Sequence, residues 1–305
     1  MTEDTETLFL LWAARATGIL DALLDDADTP AEVAAETGVT ERAARLTVET
    51  LADEGFFKTV DGTYQPTNRT LGFLAVSDLR SVGQFPHELD LLDSLGALPA
   101  TMRGEQDSAD EPDSPWNRLG YVQATPEATV RASVTVAQHA VPGPATVLDL
   151  GGAPGTYAME FARRGYDVTL ADTETRLAES ESLLARESVQ TLATELVPSL
   201  DTDALPTVDC VFVPMRTHEF SRETNRELVA GAADLLADDG WLVVVDYLRD
   251  RSARATETTV RSLATGDGEA YTSSDYREWF DAAGLRAVQV RGVPGTERQA
   301  VLGRQ

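Results

Sequence analysis

Asp149-Leu150-Gly151-Gly152-Ala153-Pro154-Gly155 sets glycines and a carboxylate close together, directly after an apolar β-rich run and directly before a helical one. Glycine in such a turn lets the backbone pass close to a ligand at a helix N-terminus, where a side chain would block it. Asp172 closes the next β-rich run, where an α/β fold presents a carboxylate to a nucleotide ribose. A dinucleotide fingerprint would need a further glycine where Leu150 stands. His218 follows another β-rich run, Val208 to Val213, so it falls at the carboxyl end of a strand beside the expected cleft. Its bland reading is a solvent-facing residue near a helix start. The single cysteine, Cys210, sits inside that same run and reads as a buried thiol rather than a nucleophile. The other histidines, His87 and His139, lie too far away for a metal motif, and no metal is expected.

The elements that must carry these residues follow from periodicity. From Thr146 onward, strand candidates at 146–150, 167–171, 208–213, 241–245 and 287–290 alternate with helical stretches near 156–164, 174–186, 222–237 and 273–283. Such alternation predicts right-handed crossovers and a parallel sheet covered on both faces. Upstream, residues 7 to about 26 have dense helical apolar spacing. Thr29-Pro30-Ala31-Glu32 is a helix start, Gly38 a stop, and Thr40 starts a second helix running to about Glu54. Phe56 to Val60, Asp61-Gly62 and Thr63 to Gln65 read as a hairpin. Together these predict a winged helix over residues 10 to 75. The acidic stretch from Gly104 to Pro115 reads as a solvated loop within a mostly helical connector. The expected division is 1–78, 79–140 and 141–305.

The pattern Asp-x-Gly-Gly-x-x-Gly resembles the motif of class I S-adenosylmethionine-dependent methyltransferases. The likeness extends over nearly the whole chain. A winged helix, a helical connector and an α/β domain, in that order, are similar to the small-molecule O-methyltransferases, which include caffeate, hydroxyindole and polyketide enzymes. The resemblance implies a Rossmann-like α/β catalytic domain preceded by an all-helical or winged-helix domain that dimerises. It implies S-adenosylmethionine as cofactor, with Asp149, Gly151, Gly152 and Gly155 at its methionine end, Asp172 on the ribose and Glu195 near the adenine. His218-Glu219-Phe220-Ser221-Arg222-Glu223 is similar to the family's His-Asp-Trp-x-x-Glu, whose histidine is the general base. An imidazole with a free pKa of about 6.5 can take a hydroxyl proton near neutrality. Asp246 matches the family's orienting acid, and Glu219 the aspartate beside the histidine. Ala153 departs from the family's glycine, and no acid stands out about thirty residues after Asp246. Two other readings stay open: a non-catalytic cofactor-binding regulator, and methyl transfer to carbon or nitrogen.

Fifty-one acidic against 25 basic residues give a net charge of -26 over 305 residues, and Lys58 is the only lysine. Such a field repels phosphate backbones and argues against a nucleic-acid partner. Carboxylates spread along the whole chain suit a protein working in concentrated salt, as in a halophile. No apolar run approaches the ~20 residues of a membrane span. A lone cysteine fits a reducing compartment, so a cytoplasmic protein with a small-molecule acceptor is expected.

Overall fold

The expected long first helix is two helices, α1 (Thr5–Ala16) and α2 (Ile19–Leu24), in the computed structural model, which describes residues 5–73, 78–105, 115–197 and 200–305. Gly18, at φ 77°, breaks it, and the Thr17 hydroxyl donates back to the Ala13 carbonyl at 2.7 Å. Thr29 and Glu32 close a capping box on α3 (Pro30–Thr37), and Gly38 ends it in the left-handed region. Thr40 accepts from the Ala43 N–H to start α4 (Glu41–Asp53). β1 (Phe57–Val60) and β2 (Thr63–Pro66) pair antiparallel across Asp61-Gly62, both at positive φ. Leu11, Val33, Val48, Leu51 and Phe56 form the fully buried core of this part. α5 (Asn68–Phe73), α6 (Leu79–Val82) and α7 (Phe85–Thr101) follow. The chain divides into two units, after Asp93. Most of the acidic stretch expected as a loop, residues 106–114, lies outside the described residues.

The second unit adds α8 (Trp116–Gln123) and α9 (Glu127–Ala140), then a layered α/β domain. Its elements are β3 (Thr146–Leu150), α10 (Thr156–Arg163), β4 (Asp167–Asp172), α11 (Glu174–Leu184), β5 (Val189–Ala193), β6 (Val208–Pro214), α12 (Arg222–Asp234), β7 (Leu236–Asp246), α13 (Ala255–Thr265), α14 (Ser273–Ala282), β8 (Arg286–Gly292) and β9 (Gln299–Arg304). The seven strands lie in the order β5-β4-β3-β6-β7-β9-β8. After β5 the chain returns to the other side of β3, so the order reverses between β3 and β6. Ligands of open α/β sheets bind outside the carboxyl ends at such a reversal.

The central strands β3 and β6 and the second half of β7 are largely apolar because both faces are covered there. Leu148, Leu150, Val211 and Val213 face one core with Trp279 and Phe280. Val147, Cys210 and Phe212 face the other with Phe161 and Tyr157. Cys210 is buried there, and burial pushes its thiol up to about 12. The sheet is not wholly parallel: β9 runs antiparallel to β7 on one side and β8 on the other. β7 also begins earlier than expected, at Leu236, carried through Asp238-Asp239-Gly240 with Asp239 at φ 67°.

Candidate active site

The turn after β3 is shaped by what its glycines touch. Gly151, at φ 72°, donates its N–H to the Ala171 carbonyl at 2.7 Å and so joins β3 to the end of β4. A Cβ on Gly151 would meet Leu196 Cδ1 at 2.8 Å and Arg216 Nε at 3.1 Å. On Gly152 it would meet Asp149 Oδ1 at 2.1 Å, and on Gly155, the N-terminal cap of α10 at φ 94°, Leu184 Cδ2 at 2.7 Å. The turn is therefore bare backbone folded against a carboxylate. That carboxylate, Asp149, is fully buried, and its oxygens make no hydrogen bond of ordinary geometry. Burial pushes it up to about 8; the first-turn N–H of Ala158 pulls the other way, and the nearby Asp172 charge adds to the rise.

Asp172 closes β4 and is also fully buried. Its Oδ2 accepts from the Ala153 N–H at 3.1 Å and its Oδ1 from the Thr173 N–H at 2.8 Å, with Arg176 Nη1 3.7 Å away. It thus lies beside the glycine turn. Glu195 follows β5 and is exposed; its neighbour Leu196 is the buried residue that reaches Gly151.

His218 lies in a short 3-10 turn, Thr217–Glu219, just past β6, and Asp246 is the last residue of β7. The parallel pairing of β6 with β7 brings them together. His218 Nδ1 is 2.9 Å from Asp246 Oδ1 and 3.1 Å from Oδ2, and the His218 backbone N–H donates to Oδ2 at 3.1 Å. Thr217 Oγ1 donates to Oδ2 at 2.6 Å, and the Tyr247 N–H to Oδ1 at 2.8 Å. Burial alone would raise Asp246, but the His218 charge and these hydrogen bonds outweigh it and hold the carboxyl below the usual range. An ionised Asp246 can only accept, so Nδ1 carries a proton, and in the neutral imidazole Nε2 is left with the lone pair.

Glu219 is placed differently. Its carboxylate pairs with Arg216 at 2.6 Å and with Arg118 on α8. The Arg216 side chain lies over Gly151, so Glu219 links the glycine turn to α8. Sequence reasoning missed Leu196, Arg216, Arg118, Tyr276 and Gly268. The buried Tyr276 hydroxyl is 2.5 Å from Thr217 Oγ1, behind Asp246, whereas the acids around it, Asp275 and Glu278, pair with Arg222 and Arg226. A Cβ on Gly268 would fall 2.0 Å from the His218 carbonyl oxygen. Only the Gly268 spacing before the α14 cap could have drawn the eye; the others come together through tertiary packing. Among the described residues, no group of three or more His, Cys, Asp or Glu could hold a metal ion, and no helix is long and apolar enough to cross a membrane.

The profile of the family described as "Methyltransferase domain" matches residues 131–290. The chain belongs to that family. This methyltransferase is an enzyme whose cofactor is S-adenosylmethionine, and the residues present fit it. The turn leaves backbone bare, Asp149 offers two buried oxygens that make no hydrogen bond of ordinary geometry, and Asp172 stands beside them. The fold is similar to that of human N-acetylserotonin methyltransferase in complex with SAM, at 21% identity and TM-score 0.69, covering 98% of this chain and 94% of that one. It is similar to an O-methyltransferase family protein from Burkholderia thailandensis, at 21% identity and TM-score 0.66, covering 98% and 94%. Mitomycin 7-O-methyltransferase shares 17% identity at TM-score 0.70, again over 98% and 94%. No curated protein matches the sequence significantly.

Proposed function

We propose that this methyltransferase transfers a methyl group to a hydroxyl oxygen of a small aromatic or polyketide-like acceptor, with His218 as general base and Asp246 as its orienting acid. The observation that carries this reading is the Nδ1 contact to a buried, ionised carboxylate, which leaves Nε2 as a proton acceptor. The names of the similar structures, N-acetylserotonin methyltransferase and mitomycin 7-O-methyltransferase, support a small acceptor. S-Adenosylmethionine would supply the methyl from its sulfonium, the methyl–sulfur bond breaking as the oxygen–methyl bond forms and neutral S-adenosylhomocysteine leaving. His218 Nε2 takes the hydroxyl proton as the acceptor oxygen attacks, and Asp246 stabilises the imidazolium that results. Gly151, Gly152 and Gly155 would admit the methionine end beside Asp149, Asp172 would hold the ribose hydroxyls, and Glu195 would lie toward the adenine. Glu219 acts as a positioning residue, fixing Arg216 and Arg118 beside His218.

By role, residues 141–305 are catalytic and 79–140 a helical connector on the substrate side. Residues 1–78 are a winged-helix dimerisation domain, supported by the α3–α4 turn, the β1–β2 hairpin and the exposed Phe9, Leu46 and Leu71. The protein works in the cytoplasm of a halophile, in keeping with its charge.

The test is His218→Ala with labelled cofactor and a panel of phenols and hydroxyquinones. Methyl transfer should fall ~10²-fold or more, with cofactor affinity within a few fold of wild type. Full rate in the variant would make methylation of carbon, nitrogen or an already acidic hydroxyl the better account.

A further inference from the structure

Arg298 stands in the β8–β9 turn, at the residue before Gln299, which pairs with Asp246. It therefore sits at the same end of the sheet as the His218–Asp246 pair. Its guanidinium donates to the Tyr157 hydroxyl in the first turn of α10, just past the glycine turn, and lies 5.9 Å from the ring centroid of Tyr247, which follows Asp246. Arg298 thus spans from the first turn of α10 to the residue after Asp246.

It does so without an anionic partner. Among the described residues, no carboxylate pairs with the half-buried Arg298; burial works against its charge, but Tyr157 and Tyr247 outweigh it and hold its pKa above the usual value. Two acids of this region are engaged elsewhere. Glu257 holds Arg254 through two hydrogen bonds, at 3.0 and 2.7 Å, and also pairs with Arg261, while Glu297 accepts from the Ala253 N–H. Burial pushes the Tyr157 hydroxyl above its usual value, so at neutral pH it stays protonated and offers Arg298 no charge. A half-buried guanidinium with no carboxylate partner keeps part of its planar fork free for one, and that fork suits a carboxylate.

We propose that Arg298, with Tyr157 and Tyr247, recognises a carboxylate on the small molecule bound in this cleft. The proposal rests on the methyl-transfer reading above. That carboxylate belongs either to the acceptor or to the methionine end of the cofactor, and the chemistry of recognition is the same.

Calorimetry separates the two sources at one fixed salt concentration, using wild type, Arg298→Gln and Arg298→Lys. S-Adenosylhomocysteine carries the amino-acid carboxylate, and 5′-methylthioadenosine lacks it. If Arg298 holds the cofactor, Arg298→Gln weakens S-adenosylhomocysteine by about 10- to 100-fold, the worth of a charge-assisted hydrogen bond, and leaves 5′-methylthioadenosine unchanged. If it holds the acceptor, both nucleosides bind Arg298→Gln normally. In that case wild type loaded with S-adenosylhomocysteine binds benzoate about 10-fold or more tighter than benzamide, a preference that Arg298→Gln removes and Arg298→Lys partly keeps. An unchanged gap between the nucleosides, together with no benzoate preference in wild type, overturns the proposal. So does an equal loss of both nucleosides in Arg298→Gln and Arg298→Lys, which would make Arg298 a structural residue. Wild type that binds neither nucleoside would instead sink the methyl-transfer reading itself.

Discussion

Two buried aspartates, a short distance apart in the fold, are handled in opposite ways. Asp246 gathers the Thr217 hydroxyl, the His218 and Tyr247 backbone N–H groups and the imidazole, and stays charged. Asp246→Asn keeps the shape but can no longer enforce the tautomer, so methyl transfer should fall about 10²- to 10⁴-fold, with cofactor affinity retained in calorimetry. Asp149 has only the Ala158 N–H working in its favour, and burial raises its pKa to about 8. A carboxyl that ionises near 3.8 in the unfolded chain and near 8 in the folded one binds more protons when folded. Its contribution to stability should therefore fall as pH rises from about 4 to about 8 and level off above. Asp149→Asn should flatten that slope in thermal melts between pH 5 and 8; an equally steep decline in the variant would contradict the buried-carboxyl account. Asp246, with its pKa lowered, works the other way: its contribution is complete above the ordinary carboxylate range and is lost as pH drops below it.

Elements differ in how plainly the sequence announces them. The glycine turn, the Thr29 and Thr272 caps and the Asp61-Gly62 hairpin depend on local chemistry, and the residues themselves state it. β5 was not legible, because Val189-Gln190-Thr191-Leu192-Ala193 is a partly exposed edge strand of mixed polarity. α13 was missed because its Thr- and Ser-rich sequence has little helix propensity. β9 did not stand out by periodicity, because its antiparallel place depends on the neighbours it finds. At the site, Asp149, Asp172, His218 and Asp246 stood out by following strands, while Arg216, Leu196 and Arg298 reach it only through folding. Gly268 tests one such contact. With His218 backbone in the way of a Cβ, Gly268→Ala must displace the 3-10 turn or its own segment. It should lower stability by about 1–3 kcal/mol and reduce kcat more than it weakens cofactor binding, as a small misplacement of a base does. Equal kcat in the variant would show that the turn yields freely.

Across the whole molecule, a net charge of -26 sets the conditions under which everything else operates. Self-repulsion among unscreened carboxylates destabilises the compact state, and added salt shortens its range to ~3 Å at 1 M. The melting temperature should climb as potassium chloride rises from 0.1 to 2 M, and a flat response would argue against the halophilic reading. In the same buffers, light scattering should give twice the monomer mass, and Phe9→Asp should return monomer if the exposed apolar residues of the first unit form the dimer contact.

The placement of β9 has a consequence for the order in which the protein is made. β7 ends in Asp246, yet the partner along its outer edge is a strand synthesised well after it. Until residues 299–304 leave the ribosome, β7 exposes a row of unpaired backbone groups, and Arg298 and Gln299 are missing from the end of the sheet. A nascent chain stalled before that point should bind no cofactor and should recruit chaperones that recognise open strand edges.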